Sequence, residues 1–221
     1  MTRLIVLRPE PGASATVNRA RDLGLDAIAA PLFRIEPVAW EAPDEAAFDG
    51  LLLTSANAVR QAGLGLNQLT RLPVHAVGEA TAAAARKAGF QVATVGTSDA
   101  ETLIATLPAA LRLLHLCGED RKPFAAPRQQ IAQITVYRAR ALDAPLLGML
   151  SGGVALVHSP RAARRLSELV AQRSTVAIAA LSPAAAAAAG KGWAAIAAAD
   201  RPTDEALLAL AARLCNIPVA Q

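Results

Sequence analysis

An internal repeat constrains this chain more than any other feature of its sequence. Leu51-Leu52-Leu53-Thr54-Ser55-Ala56-Asn57-Ala58-Val59-Arg60 returns 104 positions later as Ala155-Leu156-Val157-His158-Ser159-Pro160-Arg161-Ala162-Ala163-Arg164. Val74-His75-Ala76-Val77, an Ala-rich stretch and Gly89-Phe90 return as Val176-Ala177-Ile178-Ala179, a second Ala-rich stretch and Gly192-Trp193, the Gly-aromatic pairs standing 103 apart. Leu4–Arg8 resembles Leu113–Gly118 in the same way. A repeat of half-chain length predicts a duplicated unit, and therefore two similar lobes. The competing explanation, two generic strand–helix stretches aligned by chance, must account for offsets of 104 and 103 in successive elements and a third matching pair.

The repeated unit is itself informative. Short apolar runs alternate with Ala-rich, helix-favouring stretches, the pattern of βαβ units whose parallel strands are buried on both faces. Leu4–Leu7, Leu51–Leu53, Val74–Val77, Val92–Val95, Leu113–Cys117, Val154–Val157, Val176–Ala180 and Ala194–Ala198 are expected strands. Helices are expected at Ser14–Leu23, Asn57–Leu64, Ala80–Ala88, Glu101–Leu107, Arg161–Val170, Ala184–Ala189 and Asp204–Leu214. Two further extended segments, Ile28–Ile35 and Ile134–Arg140, carry charged punctuation and could pair as the strands through which the chain leaves one lobe and returns to it. The fold class is thus α/β, with parallel sheets flanked by helices. With 221 residues, 53% apolar and only 3% aromatic, such lobes depend on close packing of Ala, Leu and Val. That much apolar material with little net charge excludes a disordered chain.

Of the 22 basic residues only Lys87, Lys122 and Lys191 are lysines, and the net charge is +4. Arginine forms bidentate pairs with carboxylates and phosphates, so an anionic partner and a mere compositional bias both remain open. Two cysteines, Cys117 and Cys215, make a disulfide framework improbable and suit a reducing cytoplasm. The apolar stretch behind Met1 ends at Arg8, too short for a signal segment. The longest uncharged stretches, 144–160 and 174–190, are broken by Pro and Gly. Both observations predict a soluble protein without a membrane association.

Four strand-to-helix turns carry small polar residues: Thr54-Ser55, Gly78-Glu79-Ala80-Thr81, Ser159-Pro160 and Ser182-Pro183. Ser and Thr accept bonds from the free amides of a first helical turn, and Pro suits the first helical position. The remaining amides and the positive dipole end attract anions, and in open α/β sheets such turns lie at the carboxyl ends of strands, where ligands bind. Each turn taken singly is equally an ordinary cap. Tyr137, the only tyrosine, falls in the second extended segment, where its phenol could donate to a leaving oxygen or its ring could simply fill a hinge. His158 stands beside Ser159 at a strand end and is a cleft candidate, whereas His75 reads as structural. His115 and Cys117 share a strand face, but two ligands do not make a zinc site. Gly190-Lys191-Gly192-Trp193-Ala194-Ala195 follows a helix rather than a strand, which excludes a dinucleotide loop there, and no phosphate-binding loop occurs. No interleaved aromatics stand ready to stack bases, against a nucleic-acid partner.

In order and spacing, these pieces resemble uroporphyrinogen-III synthases through nearly the whole chain. The resemblance rests on Arg8-Pro9, on Leu52–Val59 and on Ala76–Ala82 in the first half. In the second half it rests on Leu116–Glu119, Val136-Tyr137-Arg138, Val157–Arg164 and Leu181–Ala184. It implies two lobes, 1–36 with 140–221 and 38–137, joined by a two-stranded connection, with the active site in the cleft between them. It also implies a lyase of porphyrin and haem biosynthesis. Such an enzyme would cyclise hydroxymethylbilane to uroporphyrinogen III by loss of water and inversion of ring D, without metal or other cofactor. The substrate carries eight carboxylates. By this resemblance Tyr137 assists hydroxyl departure, while Arg8, Thr54, Ser55, Gly78, Thr81, Ser159 and Ser182 grip carboxylates. A monomer receiving its substrate from hydroxymethylbilane synthase is expected. The stretch between Gly118 and Tyr137, with Pro123 and Pro127, departs from the family pattern by leaving little room for a helix. A non-catalytic two-lobed protein that binds a small polyanion is the alternative reading.

Overall fold

The structure is a computed structural model and describes residues 2–121, 123–143 and 147–215. The chain divides into two compact units, one formed by Met1–Arg34 with Ala141–Gln221 and the other by Ile35–Arg140.

The first unit begins with strand β1 (Leu4–Val6), helix α1 (Gly12–Asp22) and strand β2 (Ala27–Ala29). The chain leaves it within β3 (Phe33–Pro37). The second unit then runs β4 (Gly50–Leu53), α2 (Ala56–Gln61), β5 (Val74–Val77), α3 (Glu79–Lys87), β6 (Val92–Gly96), α4 (Ala100–Thr106), β7 (Arg112–Gly118) and β8 (Gln130–Ala141). The return adds β9 (Val154–Val157), α5 (Pro160–Leu169), β10 (Ala177–Ala180), α6 (Pro183–Ala188), β11 (Ala195–Ala198) and α7 (Asp204–Cys215) to the first unit.

The repeat in the sequence is a repeat in topology. One sheet has the order β2-β1-β9-β10-β11, the other β8-β7-β4-β5-β6 with β3 added outside β8. β1, β2, β9, β10 and β11 therefore correspond to β7, β8, β4, β5 and β6, and these strands pair in parallel within each sheet. In each sheet the strand order reverses beside the strand that opens the unit, between β1 and β9 and between β7 and β4. Such a switch point leaves a crevice at the strands' carboxyl ends. β3 runs opposite to β8: Leu142 donates to Leu32 O at 2.9 Å and Val38 to Val136 O at 3.0 Å.

The two units differ where the repeat fails. In the first, α1 and α7 cover one sheet face and contribute Ala13, Val17, Ala20, Leu207, Leu208 and Ala211 to a core with Leu4, Val6, Val154 and Leu156. In the second, no helix stands between β7 and β8 among the described residues; an irregular segment replaces the counterpart of α1. The core cluster on that face is small, Leu52, Leu103 and Ile104, with Phe124, Ala126 and Ile131 packed against them. The opposite face, under α2 and α3, is filled normally by Leu51, Leu53, Val74, Ala76, Ala82 and Ala85 among others. A helix was expected over Asn57–Leu64; an α-helix covers only Ala56–Gln61, and a tighter 3-10 stretch takes Gly63–Leu69.

Candidate functional site

The missing helix leaves a cavity. It measures about 500 Å³ and is lined by residues of the second unit alone, at the carboxyl ends of its strands, within the range of ~300–1,000 Å³ usual for small-molecule pockets. β4 delivers Thr54 and Ser55, β5 Val77, β7 His115 and Gly118, and β8 Tyr137, while the α4 cap Asp99 and first-turn Glu101 complete that side. The irregular segment supplies Asp120, Arg121, Pro123 and Phe124. The stretch that looked deficient in the sequence is thus a wall of the cavity.

Tyr137 is set by a register irregularity. β7 and β8 pair evenly from Arg112 to Cys117, then slip by one so that Gly118 faces Tyr137. A Cβ at position 118 would lie 2.6 Å from Tyr137 Cζ and 2.9 Å from its hydroxyl, so only glycine lets the ring lie where it does. The ring also packs against the core under α2 and α3. Tyr137 is thus both packed against the core and at the cavity.

Ser55 caps α2, its Oγ accepting from Asn57 N at 3.2 Å. Thr54 Oγ1 lies 3.0 Å from His115 Nε2. His115 is 1% exposed, and its ring stands 5.4 Å from that of Phe124. Burial, with Arg121 nearby, pushes its pKa down to about 4, so the imidazole is neutral at pH 7. Sequence reasoning set His115 aside as a metal ligand and missed its contact with Thr54. The signal lay in the register: Leu52 pairs with His115, which puts Thr54, two residues on, on the same sheet face. Gly78 stands at the end of β5 with φ +81°, a conformation that favours glycine. It caps α3 without a side chain, which corrects the expectation of a polar cap at Gly78–Thr81. Thr81 is inside the helix and 4% exposed.

Three expected contacts lie in the first unit. Ser159 Oγ accepts from Ala162 N at 3.2 Å and Ser182 Oγ from Ala185 N at 3.3 Å, both caps on helices that begin with proline. Arg8 follows β1, but its guanidinium is 3.5 Å from Asp204 Oδ1. The same carboxylate receives His158 Nε2 at 3.1 Å, Thr16 Oγ1 at 2.9 and 3.0 Å, and Arg19 at 2.7 Å. These partners hold Asp204 ionised far below the usual carboxylate range, against the burial that opposes it. Arg8 thus pairs with a carboxylate of the protein itself.

The second-unit cavity is electrostatically mixed. Arg121, hydroxyls and strand-end amides offer donors, while Asp99, Glu101 and Asp120 are acidic. Asp99 is partly spoken for as the α4 cap, accepting from Thr102 N at 2.8 Å. Among the described residues, no three or more His, Cys, Asp or Glu are grouped to hold a metal, and no helix is long and apolar enough to cross a membrane.

A family model described as Uroporphyrinogen-III synthase HemD matches residues 14–209. The fold is similar to uroporphyrinogen-III synthetase from Helicobacter pylori 26695 at a TM-score of 0.69 and 18% identity, covering 97% of this chain and 100% of that one. A mutant uroporphyrinogen III synthase from the extremely thermophilic bacterium Thermus thermophilus aligns at a TM-score of 0.54 and 20% identity over 97% and 99% of the two chains. No curated protein matches the sequence significantly.

Proposed function

Because the chain belongs to the uroporphyrinogen-III synthase family, whose model matches residues 14–209, we propose that it cyclises hydroxymethylbilane to uroporphyrinogen III. That match over most of the chain carries the reading, and it favours an enzyme over a non-catalytic binder. The reaction is a lyase step: the terminal hydroxyl leaves as water, the resulting azafulvene attacks the substituted carbon of ring D, and the spiro intermediate rearranges so that ring D closes inverted.

The chemistry asked of the protein is modest. The bilane closes without help to the symmetric type I isomer, so the enzyme must hold the two ends where attack at the hindered carbon is faster. In this reading Tyr137 donates from its phenol to the departing hydroxyl. Thr54, Ser55, the Gly78 turn and Arg121 take carboxylates on the second unit, and Ser159 and Ser182 on the first. The acidic groups Asp99, Glu101 and Asp120 suit the positive charge that develops on a pyrrole as its hydroxyl leaves. Support for Tyr137 comes from its place at the cavity and from the glycine that makes room for it.

The two cysteines are free thiols, which suits a reducing cytoplasm; in this reading the protein acts as a monomer supplied by hydroxymethylbilane synthase. The test is a coupled assay in which desalted, chelator-treated protein meets freshly made hydroxymethylbilane, with the oxidised porphyrins separated by isomer. Type III product supports the reading. Type I alone refutes it.

A further inference from the structure

We infer that His115 is a positioning residue that fixes the Thr54 hydroxyl as a hydrogen-bond donor into the cavity. The inference rests on the proposed synthase reading only for the identity of the acceptor, a substrate carboxylate; the tautomer itself does not depend on it.

The geometry allows two arrangements. A neutral imidazole carries one N–H and one lone pair. If the hydrogen is on Nδ1, Thr54 donates to Nε2 across the 3.0 Å contact and has no hydrogen left for a ligand. If it is on Nε2, the ring donates to Thr54 Oγ1, and the hydroxyl hydrogen is released for an acceptor in the cavity. His115 Nδ1 decides between them, because it is buried and has no partner among the described residues. A buried N–H left without an acceptor is rarer than an under-satisfied acceptor. Nε2–H is also the form an imidazole side chain favours in water. Both considerations place the hydrogen on Nε2.

The surroundings keep it there. His115 sits mid-strand in β7, paired in register with Leu52 of β4, and its ring is fully buried. Phe124 covers the ring, and Arg121 disfavours a second proton. Thr54, the first residue beyond β4, is half-buried and lines the cavity. With the ring donating to its oxygen, the hydroxyl keeps its hydrogen free to donate to a ligand. The Thr54 subsite therefore offers a donor suited to a carboxylate or carbonyl oxygen.

The tautomer can be read directly by long-range ¹⁵N–¹H correlation spectra of protein labelled at histidine, with the three rings assigned by substitution of His75, His115 and His158. The expected result is a neutral His115 with its hydrogen on Nε2 at pH 7; a hydrogen on Nδ1 overturns the inference whatever the enzyme's activity. In parallel, His115→Gln keeps an N–H donor near Thr54 and is expected to hold KM within about twofold. His115→Phe removes it and is expected to raise KM about tenfold with a smaller change in kcat. In a Thr54→Val background the His115→Phe change should have no further effect on KM. An unchanged KM in folded His115→Phe, or a full second loss in the double variant, contradicts the inference. Failure of the wild-type protein to form type III product refutes the synthase reading and leaves the spectral result standing.

Discussion

Gly118 and Tyr137 face each other at the slip between β7 and β8, and neither has meaning without the other. Gly118→Ala would put a methyl group 2.6 Å from the tyrosine ring, so the ring must leave its place against the strand. We expect a loss of about 1–3 kcal/mol from overpacking, together with a fall in type III turnover at least as large as that in Tyr137→Phe. Melting temperature and turnover measured on the same preparation check both. The histidines give a second prediction at this scale. His75, His115 and His158 all have depressed pKa values, chiefly through burial. The unfolded chain therefore binds protons that the folded chain refuses, and stability present above about pH 6.5 declines as pH falls. For His115, from 6.5 to about 4, the loss reaches about 3 kcal/mol at the low end. Thermal melts between pH 7 and 4.5 should show the decline starting near 6.5, well above the range of Asp204, and His115→Gln should flatten it. A melting temperature constant from pH 7 to 5 would contradict the burial of these rings. Little of this was legible beforehand: a histidine in an apolar run states its burial, not its partner.

Among the elements, α7 depends on Asp204 at its first turn, which ties it to Thr16 and Arg19 of α1, to Arg8 after β1 and to His158 after β9. Asp204→Ala strands His158 and leaves the guanidiniums without their carboxylate. It should cost about 2–3 kcal/mol in a denaturant titration, whereas an exposed acid such as Glu205 should cost almost nothing when removed. The central strands were legible because parallel strands buried on both faces read as unbroken apolar runs, and β5 and β9 fall where those runs predict. β8 was half legible. Its first residues, Gln130–Gln133, are exposed apart from Ile131 and show no apolar run, so the extended segment is legible only from Ile134. The α3 cap misled for a different reason: a threonine three residues into a helix looks like a cap until a glycine with positive φ is seen to start the turn. Ser55, Ser159 and Ser182 were readable as caps because each precedes its helix directly.

On the scale of the whole molecule, a duplicated strand order has been made asymmetric by the loss of one helix. Where the first unit closes its sheet with α1, the second opens a cavity of about 500 Å³ containing Tyr137. The half-chain repeat made the architecture legible, while the lost helix appeared only as an anomalous segment with two prolines. Carboxylates held partly by exposed cations should bind more weakly as salt rises, since screening acts over about 8–10 Å at physiological ionic strength. Backbone and hydroxyl donors should leave a salt-resistant remainder. Titration of uroporphyrinogen III at increasing ionic strength, under exclusion of oxygen, should give a falling affinity that levels off above zero.

Central to all of this is the proposal that the protein directs ring closure through Tyr137 at the cavity. Spontaneous closure to the type I isomer supplies an internal clock against which the enzyme competes. The most direct measurement is therefore the type III fraction of product as enzyme concentration is raised, for wild type and Tyr137→Phe on the same bilane. We predict a wild-type fraction that climbs towards complete type III. The Tyr137→Phe curve should reach the same limit at an enzyme concentration about 10–100 times higher, the lower reach of general-acid effects. Superimposed curves would remove Tyr137 from the reaction, and a wild-type fraction that stays at the uncatalysed level would contradict the function itself.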